Sequence, residues 1–197
     1  MGKIKSAFEK AMEKAEEIGK LTAEEKENLE NKEKVKSVLA EFYKGQLDRD
    51  GLWQKLKGYN LSLLIEAQIS LIDAIGLGDI PEEFQKRKDG ILAIETLKNS
   101  KNISMIEDMI KAIELIRSEY RDGKERAEKE MREAIERNPQ LRLKPVRMPD
   151  GRTVLQAAVS VDEAVQARLS EFLSEHEERY GMEFERLITR LKWAVSV

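Results

Sequence analysis

A run of apolar residues spaced alternately three and four apart, between positions 103 and 120, constrains this chain more than any other feature. Its central members step with the spacing 3-4-3-4 and are Ile106, Met109, Ile113, Ile116 and Tyr120. A strand repeats every two residues and an α-helix about every 3.6, so only a helix places all of them on one face. The pattern predicts a long amphipathic helix over residues 102–138, with coiled-coil geometry for about two heptads.

Three further signals indicate that most of the chain is α-helical. Residues 61–75 are apolar almost all round, as expected of a helix at the centre of a bundle. Thr22 and Ser160 each start a capping box, in which a hydroxyl and a glutamate three residues later bind the first N–H groups of a helix. The predicted fold is a mainly α, multi-helix bundle of about six helices, with a C-terminal helix over residues 161–195.

The chain is predicted to hold one domain preceded by a separate helix. Residues 1–20 place Ile4, Phe8 and Ile18 on a narrow apolar stripe, which predicts an N-terminal amphipathic helix. Its lysines fit a membrane surface or a partner protein, but neighbouring glutamates cancel them, so we interpret it as a helix docked on its own domain. Residues 21–197 are predicted to form a single helical domain.

Residues 141–159 break the helical pattern and predict one inserted β-hairpin. They contain the turn signature Pro149-Asp150-Gly151, which favours a type I turn with a bulge at its glycine. The facing pairs are then Arg147 with Thr153, Pro145 with Leu155, Leu143 with Ala157, and Leu141 with Val159. Pro145 falls at a non-hydrogen-bonded pair, where its missing N–H costs the ladder nothing. Because an isolated hairpin is only marginally stable in water, its apolar face is expected to lie on the bundle or on the hairpin of a second copy of the chain.

Composition excludes several classes of site. The chain has no Cys and one His, which excludes disulfide scaffolds, thiol catalysis, zinc ribbons and most His-rich metal sites. Charged residues make up 37%, but 35 Lys and Arg against 38 Asp and Glu leave a net charge of -3, so a polybasic, histone-like binder is excluded. No catalytic, metal-binding or cofactor-binding residue is predicted, and no cofactor.

Three ionisable residues in apolar segments are candidate functional groups. Glu66 and Asp73 share one face of the predicted helix over residues 61–75, where they fit a metal site or an acid–base pair. A di-iron bundle requires two Glu-x-x-His pairs, whereas His176 is the only histidine, so we interpret both carboxylates as solvent-facing or salt-bridged. His176 fits a pH-sensitive or catalytic imidazole, but without a nearby nucleophile or metal ligand we interpret it as half-buried at a packing edge.

The predicted hairpin carries the only sizeable basic island in the chain. Its basic residues are Arg142, Lys144, Arg147 and Arg152, and its one acidic residue is Asp150. These four basic residues are the candidate interaction surface. A structural or dimerising hairpin is favoured, followed by an acidic protein partner and then by a wing on nucleic acid. Nucleic acid ranks last because the four residues have no aromatic stacking platform beside them.

The predicted function is that of a non-enzymatic helical interaction or assembly protein that self-associates as a homo-oligomer, since several helices have longer polar stretches than a compact monomer needs. A binder of nucleic acid or another anionic surface through the hairpin is the first alternative, and a carboxylate-based enzyme is the second. The charged N-terminus has no signal-peptide core and no apolar stretch is long enough for a transmembrane segment, which predicts a cytoplasmic protein.

Overall fold

The structure, a computed structural model, describes Met12 and residues 22–197 apart from residues 99, 101, 150 and 158. These residues are mainly helical, which confirms the prediction of a mainly α fold. Their helices are α1 (Ala23–Tyr43), α2 (Arg49–Leu56), α3 (Leu61–Asp73), α4 (Pro81–Leu97), α5 (Ile103–Arg137) and α6 (Val161–Ser196). A 3-10 helix (Pro139–Arg142) and two strands, β1 (Leu143–Arg147) and β2 (Thr153–Ala157), connect α5 to α6. The helix predicted over residues 1–20 lies outside the described residues, apart from Met12.

Both predicted capping boxes are present. The Glu25 N–H donates to Thr22 Oγ1 at 3.3 Å, while the Thr22 N–H donates to the Glu25 carboxylate at 2.7 Å. Ser160 and Glu163 repeat this arrangement, at 3.2 and 2.8 Å. Because these bonds satisfy N–H groups that the first helical turn leaves unpaired, α1 and α6 begin where the sequence predicts.

The described residues group into two compact units. Unit 1 comprises residues 22–71 and 89–100, and unit 2 comprises residues 72–88 and 102–197. The single helical domain over residues 21–197 stays a prediction. The apolar core of unit 1 includes Val35, Leu39, Phe42, Leu52, Leu56, Leu63, Ala67, Leu71, Ile91 and Ile94.

In unit 2, α5 and α6 pack side by side in opposite directions. Tyr120, near the middle of α5, hydrogen-bonds Glu177 in α6, whereas Arg132, further along α5, bonds Asp162 in the first turn of α6. The helices contain 35 and 36 residues, which corresponds to a length of about 53 Å at the usual rise per residue. The hairpin between them therefore lies at one end of a long helical pair.

The buried face of α5 keeps the predicted period and includes the predicted Ile106, Ile113 and Tyr120. Between residues 103 and 120 its buried members are Ile106, Ile110, Ile113, Arg117 and Tyr120, and Ile135 is buried near its end. Met109 and Ile116, which were expected on this face, are only half-buried. Arg117 occupies a buried position on this face, which a pattern of apolar residues does not indicate.

Arg117 is tolerated on the buried face because its guanidinium donates hydrogen bonds to backbone carbonyls. Its Nε donates to the Gly76 carbonyl at 2.9 Å and its Nη2 to the Asp79 carbonyl at 2.5 Å. The guanidinium also stacks over the ring of Phe84, 4.3 Å from its centroid. Burial lowers the pKa of Arg117, against the attraction of Asp79. The arginine thereby joins the turn between α3 and α4 to α5.

The strands β1 and β2 pair antiparallel around a turn with a left-handed glycine. Gly151 has a φ of 85°, and its N–H donates to the Met148 carbonyl at 2.9 Å, while the Met148 N–H donates to the Arg152 carbonyl at 2.8 Å. The facing pairs include Leu143 with Ala157, Pro145 with Leu155 and Arg147 with Thr153. These pairs agree with the register expected from a type I turn followed by a bulge.

The fourth expected pair, Leu141 with Val159, is not part of the ladder. Leu141 lies in the 3-10 helix, since Asn138 accepts the Gln140 N–H through its side chain at 3.2 Å and so tightens the chain after α5. Leu141 and Val159 instead pack against the base cluster, which consists of Ile135, Ala164 and Val165. The hairpin is thereby anchored at its base.

Unit 1 contains a buried polar network that no sequence motif indicates. Gln68 Nε2 donates to the Ile91 carbonyl at 3.0 Å and to the Glu95 carboxylate at 2.8 Å. Lys98 Nζ donates to the Gln68 side-chain oxygen and to Glu95, both at 3.0 Å. Ser100 donates to the second oxygen of Glu95. Because a buried charge is tolerated only when it is paired and hydrogen-bonded, Gln68 holds the ion pair in place.

We predict that Gln68→Leu destabilises the protein by about 2 kcal/mol, since it leaves the buried Glu95 and Lys98 each without one partner. The free energy of unfolding from urea titration measures the change. Glu33→Gln is the matched control, because the Glu33–Lys36 pair is exposed and is expected to contribute less than about 0.5 kcal/mol. Equal effects of the two substitutions would contradict the stabilising role of Gln68.

Candidate interaction surface

The structure distributes the four predicted basic residues along the hairpin rather than in one patch. Arg142 lies in the 3-10 helix at the base and is half-buried, and Lys144 follows in β1 opposite Gln156. Arg147 and Arg152 are exposed and flank the turn. A five-residue strand spans about 17 Å, so the base and the turn are separate locations. Only Arg147 and Arg152 share the turn end.

Arg142 has an incompletely paired guanidinium. Its Nε is buried and has no hydrogen-bond acceptor among the described residues. An unpaired buried donor is destabilising. Hydrogen bonding at the base of the hairpin is therefore less complete than at the capped starts of α1 and α6. Arg142 is therefore less available to a partner than the exposed Arg147 and Arg152.

Apolar residues are exposed at the turn end of the hairpin, which we call the hairpin tip (residues 145–149 and 151–154). Met148 and Val154 retain 42% and 41% of their accessible surface, and Pro145 and Pro149 are exposed as well. Of the expected apolar face, Leu141 and Val159 pack on the helices at the base of the hairpin. Pro145 was expected on a face that lies on the bundle or on a second copy. Its exposure shows that the described part of the bundle does not cover it, and the second copy stays a prediction.

The two carboxylates considered as catalytic or metal-binding candidates each have a lysine partner. Glu66 lies 3.0 Å from Lys32, with its side chain 48% exposed. Asp73 is 53% exposed and forms an ion pair with Lys192. The described residues contain no group of three or more side chains arranged to hold a metal ion. Both positions match the salt-bridged interpretation of these residues.

His176 lies in an aromatic cluster where α5 and α6 meet. Its ring centroid is 5.2 Å from that of Tyr120, 5.0 Å from Phe172 and 4.6 Å from Tyr180. Its Nε2 lies 3.0 Å from the Tyr120 carbonyl, which can only accept, so Nε2 carries the proton and donates. His176 is half-buried and its ring is held on several sides, as expected for a packing residue.

Gly123 makes this close approach possible, and its role was not among the sequence-based predictions. A Cβ at Gly123 would lie 2.6 Å from Cε1 of His176, which is closer than real contacts allow. The available signal was a glycine inside the most strongly periodic helix, since such a glycine commonly marks a packing requirement. The pair Gly123 and His176 sets the distance between α5 and α6 at this level.

A hydrogen bond across the same helices changes the acidity of a tyrosine. Tyr120 donates its hydroxyl proton to a Glu177 carboxylate oxygen at 2.9 Å. Burial and this hydrogen bond raise the pKa of Tyr120 above its ordinary value, because both disfavour the phenolate. The bond is a second link between the helices that carry the hairpin.

Comparison with known proteins places both long helices and the hairpin in one matched region. Residues 53–193 match the model of a family described as a family of unknown function (DUF6657). No curated protein and no solved structure matches the chain. None of the helices in the described residues is long and apolar enough to cross a membrane.

We predict opposite effects for alanine at two glycines inside long helices of unit 2. Gly181→Ala is expected to stabilise the protein by about 1 kcal/mol, because alanine favours helix and its Cβ meets no atom within 4 Å. Gly123→Ala is expected to destabilise it by about 1–2 kcal/mol, because the new Cβ displaces His176. Thermal and urea unfolding measure both changes.

The decisive control for Gly123 is a double-mutant cycle with His176→Ala. Without the imidazole, Gly123→Ala is expected to become stabilising, as at Gly181. A Gly123→Ala penalty that persists in the His176→Ala protein would show that the contact with the imidazole is not its cause.

We also predict that Tyr120 makes the protein less stable at alkaline pH. Its folded pKa is raised, so its contribution is fully present below the unfolded tyrosine value of about 10 and is lost as pH rises through the folded value. Tyr120→Phe is expected to weaken the dependence of the unfolding free energy on pH above 10. Glu177→Gln, which removes the nearby charge, is expected to give an intermediate slope. An unchanged slope in Tyr120→Phe would assign the alkaline loss to other groups.

Proposed function

The chain belongs to a family of unknown function (DUF6657), and from its own geometry we propose that it is a non-enzymatic, cytoplasmic assembly protein that self-associates through its β-hairpin. The exposed apolar residues of the hairpin tip carry this proposal. They lie at the end of the helical pair formed by α5 and α6, where a second chain reaches them without displacing a helix.

The hairpin has apolar surface that the described residues of its own chain leave exposed. Met148 and Val154 are each about two-fifths exposed, and Pro145 is exposed on the opposite face of the strands. A two-stranded sheet is marginally stable in water, and its stability increases when further strands or a packed face are added. A partner that covers the tip therefore adds stability that the base cluster alone does not provide.

The base of the hairpin holds the tip in a defined position. Ile135, at the end of α5, is buried together with Ala164 and Val165 at the start of α6. Arg132 donates to Asp162 at 2.7 Å between the same helix ends. A contact surface on a fixed support binds with a smaller loss of conformational freedom than a mobile loop does.

An alternative function is binding of an acidic protein or nucleic acid through the same tip. Arg147 and Arg152 are exposed at its turn, and paired arginines attract phosphate or carboxylate groups. The half-buried position of Arg142 reduces the number of arginines that reach one anionic surface. This arrangement favours a contact dominated by apolar residues, with charge in a secondary role.

We predict that the wild-type chain is larger than a monomer by multi-angle light scattering and that its mass rises with concentration. Met148→Ser combined with Val154→Thr is expected to weaken self-association at least tenfold, about 1.4 kcal/mol, because it removes apolar surface at the tip. Leu115→Ser is the matched control, because Leu115 is 61% exposed but lies on α5, and is expected to leave the association constant unchanged.

Salt distinguishes the two candidate functions. Self-association through apolar contacts is expected to persist as ionic strength rises, whereas binding through Arg147 and Arg152 weakens. A wild-type chain that stays monomeric at every concentration overturns the assembly proposal. In that case, salt-sensitive binding to an oligonucleotide or an acidic peptide would establish the alternative.

A further inference from the structure

The two strands of the hairpin differ in how their outer edges are protected. β1 contains a lysine, a proline and an arginine, which are residues that natural proteins use to prevent unwanted strand addition. β2 has the sequence Thr-Val-Leu-Gln-Ala and contains neither charge nor proline. Within the described residues the sheet has two strands only, so no third strand pairs with β2. The unprotected edge therefore belongs to β2.

The hydrogen bond across the turn determines which backbone groups face that edge. The Met148 N–H donates to the Arg152 carbonyl, so the next pair along the ladder, Arg147 with Thr153, is non-hydrogen-bonded. Because the two kinds of pair alternate, Leu155 also occupies a non-hydrogen-bonded pair. Its N–H and carbonyl therefore point away from β1, toward the open edge.

The same alternation explains why β1 is closed to a further strand. Pro145 faces Leu155 across the ladder, so the backbone nitrogen that would point outward from the middle of β1 belongs to proline and carries no hydrogen. The central residue of β1 thus offers no donor to its outer edge, whereas the central residue of β2 offers both a donor and an acceptor. Strand addition is directed to one side of the hairpin.

The sequence of β2 is compatible with pairing to itself. An antiparallel β2–β2 contact about a twofold axis at Leu155 places Thr153 opposite Ala157 of the second copy. Backbone hydrogen bonds then form at Thr153, Leu155 and Ala157, two at each pair. No charged residue meets its own copy, which would be destabilising. The contact is isologous and closes as a dimer rather than continuing as a fibre.

From these observations we propose that two copies of the chain join through the outer edge of β2 into a four-stranded antiparallel sheet with the order β1–β2–β2–β1. This inference rests on the proposed self-association and identifies its contact. The resulting sheet has more strands than a lone hairpin and ends on both sides at a protected β1. In this sheet the tip of each hairpin lies beside the base of the other, because Thr153 of one copy faces Ala157 of the second.

The test replaces the outward donor of β2 without disturbing the hairpin ladder. Leu155→Pro removes an N–H that points away from β1, as Pro145 does on the other strand, while Leu155→Val is the matched control that keeps the N–H. Light scattering and sedimentation are expected to show dimer dissociation increased at least a hundredfold in Leu155→Pro and less than threefold in Leu155→Val. Circular dichroism checks that both variants fold.

A second variant tests the register and does not depend on a proline. The chain has no cysteine, so Leu155→Cys introduces a single thiol at the twofold axis, where facing Cα atoms are about 5.5 Å apart and allow a disulfide. Val154→Cys is the control, because position 154 faces position 156 of the second copy. Mild oxidation is expected to cross-link Leu155→Cys into a dimer and to leave Val154→Cys mostly monomeric on a non-reducing gel.

The outcomes separate this inference from the proposed function. A wild-type chain that self-associates while Leu155→Pro dimerises equally well, or Leu155→Cys fails to cross-link, overturns the β2 contact and leaves the assembly function standing. A monomeric wild-type chain overturns both. A Leu155→Cys thiol that cross-links a different protein assigns the edge to that protein and overturns the choice of a second copy.

Discussion

The packing of α5 against α6 is the interaction on which the rest of unit 2 depends. At Gly123 of α5, His176 of α6 occupies the space that a side chain would fill. The hydrogen bond from Tyr120 to Glu177 joins α5 and α6 near Gly123. The base cluster joins the two helices at the end that carries the hairpin. The hairpin has a defined position because the helices that carry it are held together along their length.

Local features of the fold could be predicted from the sequence because the interactions that form them join residues only a few positions apart. A capping box needs only Ser160 and Glu163, and a bulged turn needs only the Pro-Asp-Gly step. The buried face of α5 was predicted less well, since the carbonyls that receive Arg117 come from residues about forty positions earlier. The network around Gln68 was missed for the same reason, because its partners are 23 to 30 residues away.

The exposure of the candidate interaction surface also depends on residues that are distant in the sequence, so it could be predicted only in part. The distribution of charge along the sequence shows that the hairpin is basic. It could not show that Arg142 is half-buried with a buried Nε, whereas Arg147 is exposed. Alternation predicted which residues share a face of the hairpin, yet it could not show that Pro145 and Met148 are exposed. Their exposure depends on which parts of the folded chain lie beside them, and no local pattern contains that information.

Exposed apolar residues on the helices do not compete equally with the hairpin as a contact surface. Met182 and Trp193 are exposed on α6, but charged residues stand beside them in the sequence, and 37% of the chain is charged. Single apolar side chains on charged helix faces are common in monomeric proteins and carry little energy of association. An open strand edge is different, because unpaired backbone groups attract a second strand whatever the side chains are. The hairpin combines an uncharged open edge on β2 with exposed apolar residues, so association at this place gains from both.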